Sequence, residues 1–179
     1  MIPTIPITHF RPFTAQDCPV RESLHHPRIV GDRIVATNGK VIVHALISEI
    51  MLDPDYPITS HPKFPNYQSI FESVTNEHCV TLPPLPACPA DVECSECRGS
   101  GIITCSKCEH DHDCKKCTGT GWIEGASHWD LSLGEERYNA RLISHILALP
   151  HPTFYHCQVG LYFQFGQSGH GILSRLPKE

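Results

Sequence analysis

The 179-residue chain has no apolar run approaching the roughly 18 residues that a membrane-spanning helix needs. Between Met1 and Phe13 it has three prolines and no basic residue before Arg11, which is not the pattern of a secretory signal. A reducing, cytoplasmic setting is therefore expected, with no membrane association. Positive charge is also short: 19 acidic against 14 basic residues give a formal net charge of −5. That excludes sequence-blind nucleic-acid binding through bulk charge, though not through a local basic face. A phosphate-binding Gly loop, a GxSxG elbow and an HExxH pair are all missing. Asp53, Asp55, His61 and His78 fall at no spacing that builds a site, so no enzyme and no small-molecule substrate is expected.

What the chain does have is 10 cysteines and 13 histidines, unevenly placed. Six of the cysteines form three CxxC pairs: Cys94/Cys97, Cys105/Cys108 and Cys114/Cys117. A CxxC turn aims both sulfurs at one centre, and two such turns complete a tetrahedral zinc site. In a reducing compartment this spacing favours metal over disulfides. Cys18, Cys79, Cys88 and Cys157 stand alone and read as small hydrophobes or bystanders. The HxE and PCxxC pattern of zinc deaminases is absent, so the zinc is expected to be closed and structural.

Two pairs continue as CxxCxGxG, through Arg98-Gly99-Ser100-Gly101 and Thr118-Gly119-Thr120-Gly121. The glycines let the backbone turn back tightly beneath a metal. From Glu93 to Trp122 the chain resembles the cysteine-rich zinc region of the DnaJ chaperone family. It departs from that family in having three pairs instead of four, and the middle pair runs without glycines into Glu109-His110-Asp111-His112-Asp113. The resemblance implies that Cys94/Cys97 joins Cys114/Cys117, as outer repeats do. Cys105 and Cys108 then need two more ligands, and His110 and His112 lie close by. Two zincs per chain are expected on this reading. A second pairing joins Cys94/Cys97 to Cys105/Cys108 and leaves Cys114/Cys117 with the histidines; a third holds one zinc, with the His-Asp stretch merely solvated. Four thiolates around one zinc leave the site at a charge of about −2.

The flanks read as one α+β domain, residues 1–90 and 123–179, interrupted by a zinc-binding insert at 91–122. Asp17 is placed to cap a short helix with Pro19 in its first turn. Arg33–Thr37 and Lys40–His44 flank Asn38-Gly39, which predicts a hairpin with a two-residue type I′ turn. Asp53 to Pro65 reads as loop, a brief helix is expected around Tyr67 to Val74, and Pro83, Pro84, Pro86 and Pro89 form a stiff lead into the insert. Beyond it come a strand at Trp129–Leu133, a helix from Glu135 to Leu149 stopped by Pro150, and a terminal hairpin of Leu161–Phe165 and Ile172–Leu176.

This order is similar to one domain of a bacterial sliding clamp. Ala36-Thr37-Asn38-Gly39 resembles that family's Ala-Thr-Asp-Gly, and Tyr138-Asn139-Ala140-Arg141-Leu142-Ile143 its Phe-Asn-Ala-Arg-Tyr-Leu-like phrase. The end, Gly171 to Leu176, has Ser174-Arg175 where the family would carry Met-Pro. The resemblance implies an antiparallel sheet with packed helices, and DNA or a replication-related protein as partner. Clamp rings need six such domains and this chain supplies one, so the oligomeric state is left open. Candidate contact residues are Arg137, Arg141 and His145, which recur every fourth residue on the expected helix, and Lys115 and Lys116 on the zinc segment. The DnaJ resemblance implies an alternative, binding of unfolded chains. The family's His-Pro-Asp signature is absent, since the chain has only His26-Pro27-Arg28, His61-Pro62-Lys63 and His151-Pro152-Thr153.

Overall fold

The computed structural model describes residues 4–16, 18, 20–59, 64–75, 78–105 and 107–177. Asp17 and Pro19, and His61 and Pro62 farther on, lie outside these residues; the described part of the first segment holds a 3-10 turn at Glu22–Leu24. The chain divides into two compact units, Met1–Pro84 with Ser132–Glu179, and Leu85–Leu131.

The larger unit is built on seven antiparallel strands: β1 (Arg28–Val30), β2 (Arg33–Thr37), β3 (Val41–Leu46), β4 (His78–Val80), β5 (Thr153–Cys157), β6 (Gly160–Phe165) and β7 (Gly169–Leu173). Their spatial order is β1-β2-β3-β7-β6-β5-β4. The β2–β3 hairpin forms where the β-branched runs predict it, but its turn is shifted. Asn38 N–H donates to the Val41 carbonyl, so Gly39 and Lys40 are the central pair and Gly39 alone carries a positive φ, of 86°. The Asn38 side chain causes this by accepting from the N–H groups of Lys40 and Val41 at 2.9 and 3.0 Å, which holds Asn38 outside the left-handed region a type I′ turn would require.

One face of the sheet presents Ile34, Ala36, Val43, Ala45, Leu161, Phe163 and Leu173, each with no exposed surface. The 3-10 segment Ile7–Phe13 covers β2 and β3 and also touches helix α2 (Ala140–Leu147), with Phe10 edge-on to Phe165 at 6.4 Å. The opposite face carries Val35, Ile42, Tyr162 and Ile172 beneath Tyr67 and Phe71 of the short helix α1 (Gln68–Glu72) and the residue before it.

The predicted helix from Glu135 is half strand. Gly134 and Glu135 turn the strand Asp130–Leu133 into a second one, Glu136–Asn139, and α2 starts only at Ala140. Asn139 stays extended and accepts the Leu142 N–H on its side chain at 2.9 Å, which caps the helix and fixes its start. Tyr138 is buried in an alternating pattern with Leu131 and Leu133, so the apolar period there is two. Among the described residues, no helix is long and apolar enough to cross a membrane.

The smaller unit runs wider than the segment 91–122 delimited from the sequence. Its ends are tied by Trp129 Nε1, which donates to the Pro86 carbonyl at 3.0 Å, and by Gly125 N–H, which donates to Asp91 at 2.9 Å. It holds two short ladders, Val92–Glu93 with Trp122–Ile123 and Ile102–Thr104 with Asp111–Asp113.

Candidate metal centre

The sulfurs of Cys94, Cys97, Cys114 and Cys117 all lie within 4.8 Å of one another, and all four residues are buried. Across the two knuckles, Cys94 and Cys114 Sγ are 3.8 Å apart and Cys97 and Cys117 Sγ 3.6 Å. Zinc–sulfur bonds of about 2.3 Å give a tetrahedron with edges of about 3.8 Å, close to both cross-knuckle distances, so these four residues could hold one metal ion.

The knuckles are the same motif written twice, twenty residues apart, and they lock each other reciprocally. Cys94 N–H donates to the Gly121 carbonyl and Cys114 N–H to the Gly101 carbonyl, both at 2.8 Å. Gly101 N–H points at Cys97 Sγ (3.3 Å), and Gly121 N–H at Cys117 Sγ (3.2 Å). Ser100 and Thr120 take matching places, each hydroxyl donating to the carbonyl of the preceding cysteine at 2.8 and 2.7 Å. A Cβ on Gly101 would sit 2.1 Å from the Gly119 carbonyl oxygen, and one on Gly121 2.2 Å from that of Gly99. Both positions also have positive φ, 75° and 80°, so both sterics and backbone demand glycine.

Without a metal, the thiols of the second knuckle are shifted in opposite directions. Burial pushes the Cys114 thiol up to about 11. Burial also raises Cys117, but the Gly121 N–H and the neighbouring thiols outweigh it and bring it down to about 7. A divalent ion would favour the ionised form of all four.

The middle pair is different. Cys105 and Cys108 close a tight turn in which Glu109 N–H donates to the Cys105 carbonyl and Cys105 N–H to the His110 carbonyl, both at 2.9 Å. Cys108, His110 and His112 are exposed. His110 Nδ1 is turned back onto the Cys108 carbonyl at 2.8 Å, and His112 lies in the middle of the strand Asp111–Asp113, opposite Ile103. Among the described residues, only the outer pairs come together as a group of three or more potential ligands.

The candidate contact residues are dispersed. Lys116 Nζ reaches across to Ser95 Oγ at 2.9 Å, bridging the knuckles, and Lys115 is exposed. Arg141 and His145 lie on α2 and line a cleft of about 470 Å³ with Arg11 and Lys40. Arg137 does not share their face: it sits on the strand before the helix, donates to the Pro177 carbonyl at 3.3 Å, and lines a separate cleft with Glu135, Glu136 and Arg175. Burial, then the charge of Arg141, lowers the His145 pKa, which favours its neutral form. Sequence reasoning missed Arg11 and Lys40, whose only signal was their charge.

Comparison with protein-family models, with curated proteins and with solved structures gives no match.

Proposed function

We propose that this protein is a non-enzymatic zinc-binding interaction module, in which a clamp-like α+β host carries a DnaJ-type zinc segment. The observation that carries the reading is the closed set of four buried cysteine sulfurs at tetrahedral spacing. Such a set leaves no coordination position for substrate, so the zinc serves to hold shape. The partner on this reading is DNA or a replication-related protein. The cleft of Arg11, Lys40, Arg141 and His145 supports the first, because it gathers three cations on one side of a chain that is acidic overall. Duplex DNA should bind with a salt-dependent affinity that falls in Lys40→Glu/Arg141→Glu and is little changed in Arg137→Glu. Equal loss in all variants, or binding indifferent to salt, would remove the cleft from the account.

A second reading, capture of unfolded chains, is favoured by exposed apolar side chains on the zinc segment: Val92, Ile102 and Trp122 are about half exposed, at 56, 48 and 52%. Suppression of aggregation of a denatured client, lost in Ile102→Ser/Trp122→Ser, would select it over DNA binding.

The proposal includes a second zinc on Cys105, Cys108, His110 and His112, supported by the half-buried Cys105 and exposed Cys108 with both imidazoles within four residues of Cys108. With its Nδ1–H donated to the Cys108 carbonyl, His110 would bind through Nε2. Zinc content falling from two to one per chain in His110→Ala/His112→Ala is the expected result; two zincs retained would release the histidines.

A further inference from the structure

On the α1 side of the large sheet a polar cluster interrupts the apolar packing. Strand register assembles it from distant parts of the chain: Val35 pairs with His44, His44 with His170, and His170 with Gln164. Arg33 Nη1 donates to His44 Nδ1 at 2.8 Å and to the Ser168 carbonyl at 3.4 Å. A guanidinium can only donate, so Nδ1 of His44 holds the lone pair and Nε2 the proton. The second ring follows if the phenol donates: Tyr162 Oη accepts from Gln164 Nε2 at 3.1 Å and meets His170 Nδ1 at 2.5 Å, and a phenol proton on that bond would leave the His170 hydrogen on Nε2. Burial, followed by the Arg33 charge, holds both rings neutral and brings His44 down to about 3.

Arg33, His44, Tyr162 and His170 line a cavity of about 280 Å³, with Phe71 and Val74 as its apolar wall. A metal ion would need the reverse arrangement, with an N–H donated backwards to a carbonyl or carboxylate and a bare nitrogen in front. Here the nitrogens behind are acceptors facing donors. What the cluster has to offer is the Arg33 guanidinium, whose Nε also lies 4.0 Å from the exposed Asp32 carboxylate, and the imidazole N–H groups, a set that matches an oxygen anion. The buried Glu49 carboxylate, whose charge reaches His170, accepts the N–H groups of Gln167 and Ser168 on Oε2 at 3.2 and 3.3 Å, and its Oε1 has no hydrogen-bond partner among the described residues.

We propose that this cleft is a binding site for a small oxyanion, a carboxylate or a phosphate, held by Arg33 and the Nε2–H groups of His44 and His170 with its remaining body against Phe71 and Val74. The site is independent of the zinc centre and of the nucleic-acid cleft. The test is a long-range ¹H–¹⁵N spectrum of the histidines in the zinc-loaded full chain, titrated with inorganic phosphate or acetate at constant ionic strength in chloride. Both rings are expected in the Nε2–H form, with saturable shifts of His44 and His170 that weaken about tenfold or more in Arg33→Met and partly return in Arg33→Lys. Response to phosphate alone assigns a phosphoryl ligand, and response to acetate alone a carboxylate. The proposal is overturned by Nδ1–H tautomers, by shifts that chloride reproduces, by no saturation below about 100 mM, or by equal affinity in Arg33→Met. Should Arg33→Met not fold, the tautomers and the anion titrations of the native chain decide alone.

Discussion

The two units of this chain reach a folded state by different means. The larger one buries Phe10, Phe13, Tyr138, Phe163 and Phe165 completely, along with a set of Ile and Leu side chains. The smaller one buries little besides Leu131 and four of its cysteines, with Ile103 and Ile123 packed against those cysteines, and leaves Val92, Ile102 and Trp122 about half exposed. Apolar burial at about 25 cal/mol per Å² can offset chain entropy in the first but not in the second. The reciprocal knuckle hydrogen bonds hold geometry, yet they need the cysteines gathered first. On the proposed zinc site, the stability of the small unit would be a metal-binding energy, and that of the large unit would not.

Metal withdrawal should separate the units most sharply. Both tryptophans, Trp122 and Trp129, belong to the smaller unit, so intrinsic fluorescence reports it alone. A strong chelator should shift that emission to the unfolded value while amide exchange in β2, β3, β6 and β7 stays protected, a loss on the order of 10 kcal/mol confined to one unit. The converse break is Phe163→Ala, expected to cost the larger unit about 3–5 kcal/mol and to leave zinc content unchanged; thermal melts with metal analysis would check it. Smaller again is Gly101→Ala, which meets the Gly119 carbonyl at 2.1 Å and forces a positive φ. Strain of about 1–3 kcal/mol should appear as weaker zinc retention against a competing chelator, with the large unit's melting unaffected.

Acid should act on the large unit through His44. Its folded pKa, near 3, lies below the ordinary 6.5, so the unfolded chain takes up the proton first. Stability is full above pH 6.5 and falls as pH drops towards 3, by about 2 kcal/mol at pH 5 from this residue alone. Denaturant titrations of native protein and His44→Gln at pH 7 and 5 should show the dependence shrinking in the variant.

Much of this comparison was legible in the sequence, for physical reasons that differ by region. The knuckles are local: ligands, glycines and turns lie within eight residues, so spacing marks all three CxxC pairs, while the joining of the outer two was implied by the DnaJ resemblance and those four are brought together in the structure. The β2–β3 hairpin and the strand β6 were legible from β-branched and aromatic runs, whereas β7 (Gly169–Leu173) starts inside the Gly-rich stretch read as a turn and ends two residues into the strand expected at Ile172–Leu176. The helix at Glu135 was misjudged because Tyr138 fits both a period of two and a stripe with Leu142, and Asn139 decides between them only as a cap. β5 and β4 escaped notice because their histidines and cysteines mask the alternation. The Arg33–His44–Tyr162–His170 cluster could not be read at all, since its members meet only through pairing of strands over a hundred residues apart.

The central claim is that the outer cysteines form a zinc–thiolate centre, and it is tested most directly with Cys105→Ser/Cys108→Ser, which removes the other dithiol. Native mass spectrometry with zinc-edge X-ray absorption should find one zinc per chain, surrounded by four sulfurs at about 2.3 Å. A chain that retains no zinc, or a shell containing nitrogen or oxygen in place of sulfur, would contradict it.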